Sequence, residues 1–166
     1  PAEKHCGSCS ACIDICPTQA IVEPYMLDAR KCIAYLTIEY KGIIPEELRR
    51  GIGNRVFGCD DCQLICPWNS FAKKTSIEDF NPRHGLDQVS LLDLWQWDET
   101  TFLNCTEGSP IRRTGYQSFM RNIAIGLGNA DYSVEILHAL QQNRALHDEI
   151  VQVHIDWAIA EQQSKS

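Results

Sequence analysis

The sequence predicts a mainly α-helical chain in two parts. A cysteine-rich module spans residues 1–70 and helical hairpins span residues 90–166, with a connector over 71–89. Three observations predict this. Eight of the nine cysteines (Cys6, Cys9, Cys12, Cys16, Cys32, Cys59, Cys62 and Cys66) fall in the first 66 residues, with Cys105 apart. From Ser90 onward, apolar residues recur at helical spacing between capping residues and glycines. The 166 residues, 44% hydrophobic and 22% charged, suffice for one globular domain or two small ones.

The first cysteine run, Cys6-Gly-Ser-Cys9-Ser-Ala-Cys12-Ile-Asp-Ile-Cys16-Pro17, is C-x2-C-x2-C-x3-C-P. Three thiolates two residues apart can wrap one corner of a cubane, and this spacing is the bacterial [4Fe–4S] pattern, whose fourth cysteine serves the other cluster. A shorter copy, Cys59-Asp-Asp-Cys62-Gln-Leu-Ile-Cys66-Pro67, lacks one cysteine. Crossing the last cysteine of each run gives a first cluster on Cys6, Cys9, Cys12 and Cys66. The second has Cys16, Cys59 and Cys62 and needs a fourth ligand, for which Cys32 is nearer in the chain than Cys105. The fold class is therefore a bacterial-ferredoxin-like two-[4Fe–4S] module followed by HEAT-like helical hairpins. A structural zinc site would usually show two separated C-x2-C pairs, and nothing suggests the oxidising compartment that disulfides need. Cys105 reads as a small hydrophobe.

The remaining elements follow in order. Ala20-Ile21-Val22 is at most a brief strand. Asp28 is an N-cap for a helix over about 29–40, closed by Gly42, with Cys32 in its first turns. Pro45, Glu46 and Glu47 open a short helix ending near Gly51. Gly51, Gly53 and Gly58 lead into the second cysteine run. Asn81-Pro82-Arg83-His84-Gly85 is irregular turn. Ser90 caps a segment over Leu91–Trp97, and Asp98 caps another ending before Gly108. Ser109-Pro110 opens a helix carrying Phe119, Met120, Ile123, Ala124 and Leu127, ending at Gly128. A further helix holds Val134, Leu137 and Leu140, and the last holds Ile150, Val151, His154, Trp157 and Ala158. Two helix pairs at most give only a weak HEAT-type repeat signal.

Charge excludes one class of function. With 15 Lys+Arg against 22 Asp+Glu, the net charge is −7, so bulk basic charge cannot drive nucleic-acid binding. Two clusters, each about −2 with its four thiolates, would make the loaded chain more acidic still. Locally, Gly108–Asn129 carries Arg112, Arg113 and Arg121 and no acid. Arg112-Arg113 near a predicted helix N-terminus suits phosphate contact, against the plainer reading of solvated arginines. No apolar run approaches a membrane span, and no export signal opens the chain. The start at Pro1, with His5 and Cys6 already inside a motif, reads as a piece of something longer.

Several blocks closely resemble epoxyqueuosine reductase. They are Cys6–Cys16; Asp28-Ala-Arg-Lys-Cys32-Ile-Ala-Tyr-Leu-Thr-Ile-Glu39; Gly53-Asn-Arg-Val-Phe-Gly-Cys59-Asp-Asp-Cys62-Gln-Leu-Ile-Cys66-Pro-Trp-Asn69; Ser109-Pro-Ile-Arg-Arg113; and Arg121-Asn-Ile-Ala124. The resemblance implies a cytoplasmic, cobalamin-dependent oxidoreductase that removes the epoxide oxygen of epoxyqueuosine at the tRNA wobble position. It places Cys32 among the second cluster's ligands, in agreement with the count. It implies that a cobalamin domain and its catalytic acid lie before Pro1, so no catalytic residue is expected in this chain. Asp60 and Asp61 match positions close to cobalamin. The HEAT-like part, with Arg112, Arg113 and Arg121, would help hold tRNA. A cellular electron donor, a monomeric state and no membrane partner complete the expectation. The cysteine runs alone fit equally a ferredoxin-like module of another cobalamin-dependent reductase.

Overall fold

A computed structural model describes residues 6–166; the first five residues of the predicted module lie outside the described residues. The predicted mainly helical class is observed. Helix α1 (Ala11–Ile15) follows Cys6 and Cys9 and carries Cys12, and a hairpin of β1 (Ile21–Glu23) and β2 (Met26–Leu27) follows Cys16. The predicted strand thus begins one residue late. Its partner β2 was not foreseen, because the turn uses Tyr25 at φ 67 in place of a glycine.

The helix expected over 29–40 is broken. Asp28 caps as expected, its carboxylate accepting the Arg30 amide at 3.1 Å, but it caps a single 3-10 turn over Ala29–Lys31. Cys32 then leaves helical backbone (φ −69, ψ 123) and becomes the N-cap of α2 (Ile33–Ile38). Helix α3 (Glu46–Ile52) carries two glutamates in its first turn and stops at Gly53, φ 62. Helix α4 (Asp61–Leu64) sits inside the second cysteine run.

Beyond the largely exposed connector, α5 (Leu91–Trp95) starts with a reciprocal capping box between Ser90 and Asp93. Asp98 caps α6 (Glu99–Cys105) through the Thr101 amide at 2.7 Å. The helix expected to run on from Pro110 is instead two pieces. A 3-10 turn over Pro110–Thr114 ends at Gly115 (φ 76, ψ 152), a conformation that favours glycine. Then α7 (Tyr116–Asn129) begins afresh. Arg112 and Arg113 therefore lie in the separate turn, not at the start of α7. Ser133 caps α8 (Val134–Asn143) and Asp148 caps α9 (Glu149–Ser164).

Helix α7 is the axis of the molecule. Every residue from Ser118 to Gly128 is buried, because α9, α5 and α6 pack on it along with α2 and α3 from the cysteine-rich segment. One core results, in which Ile33, Leu36, Ile44 and Ile52 join Phe102, Phe119, Met120, Ile123, Leu140 and Ile155. Polar side chains of α7 fasten this join. Arg121 donates to the carbonyls of Leu36, Tyr40 and Gly42. Asn122 donates to those of Thr37 and Val56, and Asn129 to those of Arg49 and Gly53. Such bonds are strong inside a core because each also spares a carbonyl from burial without a partner.

Candidate metal centre

The packing of α1 on α4 brings the two cysteine runs together. Cys16, Cys32, Cys59 and Cys62 line one small cavity, closed by Pro17, Ala20, Ile21, Leu27, Ile33 and Asp61. Three chain segments deliver these thiols, the second cysteine run supplying two of them. Cys16 follows α1, and its Sγ accepts the Ala20 amide at 3.3 Å. Cys32 is set by the break before α2. Cys59 follows Gly58, whose N–H donates to the buried Thr37 hydroxyl oxygen at 3.0 Å. Cys62 rides on α4.

The thiols differ electrostatically. Burial works to raise the Cys16 pKa, but hydrogen bonds from Ala20 and Thr18 outweigh it and hold the thiol below its usual value. Burial pushes Cys59 and Cys62 up, and for Cys62 the nearby Cys59, Cys32 and Cys12 add to the effect.

The other four cysteines of the runs are not in the lining of that cavity. Cys9 is exposed, while Cys6, Cys12 and Cys66 are half-buried. The Cys9 amide closes a turn onto the Cys6 carbonyl at 2.9 Å, with Gly7 at φ 51. Among the described residues, no three His, Cys, Asp or Glu side chains converge closely enough to share one metal ion. A spread set around a cavity suits a polynuclear cluster, in which each thiolate binds its own iron.

The remaining expected site residues separate. Asp61 is engaged by the Arg55 guanidinium at 2.5 Å, whereas Asp60 is exposed and its carboxylate accepts the Gln63 side-chain amide at 2.8 Å. Arg112 and Arg113 are exposed, with Arg113 paired to Glu39. Arg121 corrects the sequence reading. It is fully buried, and carbonyls together with the Asn122 side chain use its guanidinium, so it has no face to offer a nucleic acid. Cys105 ends α6 beside a groove lined by Pro110 and Ile111, away from the other cysteines. Sequence reasoning missed Thr37 and Asn122, which brace the second run. Asn122 had a signal, as half of an Arg-Asn pair inside an apolar helix; Thr37 had none.

Comparison with known proteins agrees with this geometry. Residues 5–69 match the 4Fe-4S double cluster binding domain family. The epoxyqueuosine reductase of Pseudomonas aeruginosa is 60% identical over 156 residues, covering 94% of this chain and 43% of that protein. The structure of epoxyqueuosine reductase from Bacillus subtilis superposes with a TM-score of 0.82 at 31% identity, over 98% of this chain and 43% of that one. An epoxyqueuosine reductase solved with an epoxyqueuosine-modified stem loop of tRNA-Tyr gives 0.74 at 26% identity, over 98% of this chain and 52% of that one. The chain spans about two-fifths of the length of the curated relatives it matches.

Proposed function

Because this chain is homologous over nearly its whole length to epoxyqueuosine reductases, we propose that it is the electron-transfer and tRNA-docking portion of such an enzyme. The full-length protein would convert epoxyqueuosine to queuosine in tRNA with cobalamin as cofactor, in the cytoplasm and as a monomer fed by a cellular electron donor. The observation that carries this reading is the gathering of Cys16, Cys32, Cys59 and Cys62 from three segments around one cavity.

In this reading, Cys16, Cys32, Cys59 and Cys62 hold one [4Fe–4S] cluster, and Cys6, Cys9, Cys12 and Cys66 hold the other. When bound, the clusters supply electrons one at a time. Removing an epoxide oxygen as water consumes two electrons and two protons, so two one-electron centres side by side suit the stoichiometry. The chain's own task is to fix the thiols in place. Asp60 and Asp61, between two ligands, would meet cobalamin through side chains or backbone, Asp60 being exposed and Asp61 paired with Arg55. Arg112 and Arg113, on the exposed turn before α7, would meet tRNA phosphates.

The test is direct. The full-length protein, reconstituted anaerobically with iron, sulfide, cobalamin and a reductant, should convert epoxyqueuosine tRNA to queuosine tRNA. No conversion with both clusters verified would overturn the reading.

A further inference from the structure

We infer that Arg121 is a fixed buried positive charge that raises the reduction potential of the centre on Cys16, Cys32, Cys59 and Cys62. The inference rests on reading those cysteines as cluster ligands, and it goes beyond that reading by assigning a residue that tunes the cluster without touching it.

The geometry is specific. The Arg121 guanidinium has no solvent exposure. It donates to the carbonyls of Leu36 at 2.7 Å, Tyr40 at 2.8 Å and Gly42 at 2.9 Å, and to the Asn122 side-chain oxygen at 2.9 and 3.1 Å. None of these partners is a carboxylate, so the charge is hydrogen-bonded but not neutralised. Burial lowers its pKa only to about 10, which leaves it charged at neutral pH. An apolar side chain could fill the same volume without the cost of burying a lone charge.

The placement is directional. The carbonyls it binds belong to the C-terminal end of α2 and the turn beyond, and the N-cap of that same helix is Cys32. Six residues of helix span about 9 Å. The adjoining Asn122 binds the Thr37 and Val56 carbonyls at 2.8 Å each, and the Thr37 hydroxyl receives the Gly58 amide next to Cys59. One network therefore stands behind two of the four thiols of this centre. Reduction adds a negative charge to the cluster. In the weakly screened interior, a fixed positive charge about a helix-length away favours the reduced form.

The experiment is a redox titration of the full-length protein, followed by electron paramagnetic resonance, with iron and sulfide measured first. Cys32→Ala identifies which signal belongs to which centre. Arg121→Met and Arg121→Gln remove the charge, and Gln can still donate to the carbonyls; Arg121→Lys keeps the charge. In the charge-removed variants, the reduced-to-oxidised ratio of this centre at a fixed solution potential should fall about tenfold, equivalent to about 59 mV for one electron. The other centre should move less, and Arg121→Lys should stay near wild type. Unchanged potentials in Met and Gln variants that hold both clusters would overturn the inference. So would a shift in Arg121→Lys as large as theirs, or loss of the clusters from both charge-removed variants, which would make the residue purely structural. Wild-type protein lacking about eight irons per chain would instead overturn the cluster reading itself.

Discussion

The Ile44 amide donates to Nε2 of His154 across 3.1 Å, joining the cysteine-rich segment to α9 between residues 110 positions apart. The other ring nitrogen, Nδ1, is 2.7 Å from the Ile150 carbonyl, so the neutral imidazole serves both partners at once. Burial holds the pKa down to about 4, from an ordinary 6.5. The unfolded chain therefore binds this proton more readily than the folded one. Stability from this group is complete above about pH 6.5 and is lost as the pH falls toward 4, by about 3 kcal/mol in all. Thermal melts between pH 7 and 4.5 should show this loss. In His154→Gln the pH dependence should flatten while the neutral-pH midpoint drops.

Replacement of Cys32 by alanine should remove about four of about eight irons and one of two cluster signals. Cys105→Ser should remove none. Iron and sulfide analysis of anaerobically prepared protein checks both, and equal iron in Cys32→Ala and wild type would exclude Cys32 as a ligand.

At Gly128, an added methyl would stand 2.7 Å from the Trp157 ring and 2.9 Å from Ala158, across the α7–α9 contact. Neither neighbour is the loose end of a flexible side chain. Gly128→Ala should thus destabilise by about 1–3 kcal/mol through overpacking, despite alanine's better helix propensity. Denaturant unfolding should show the midpoint falling.

Charge reversal at Arg112 and Arg113 together should weaken tRNA binding. It should also reduce the salt slope of log K by about 1.5, the value for two lost phosphate contacts. Affinity measured across a salt series would reveal it. An unchanged slope would remove this turn from the docking surface.

The parts of the fold legible in the sequence are those written locally. Ser90 and Asp98 cap where expected because a capping side chain bonds amides two or three residues ahead. The cysteine spacing likewise pointed to the 4Fe-4S double cluster family that residues 5–69 match. What was not legible depends on distant partners. The break at Cys32 was hidden because Asp28 is a good cap for any helix, and only the position of the thiol reveals a single turn. The burial of Arg121 was hidden because periodicity assigns a helix one apolar face, whereas α7 is enclosed on every side. An arginine there reads as solvated until the carbonyls of Leu36, Tyr40 and Gly42 are seen around it.

The shared core has a consequence for how the molecule can work. Ile33, Leu36, Ile44 and Ile52 find their apolar neighbours in α7 and α9, so the cysteine-rich segment has little interior of its own. Small free-standing electron carriers diffuse between clients. The cysteine-rich segment is instead built into the bundle like a wired socket, unable to leave it or turn independently. Whatever the helices grip is then held at a set distance from the thiols, with the packed side chains of α7 serving as the ruler.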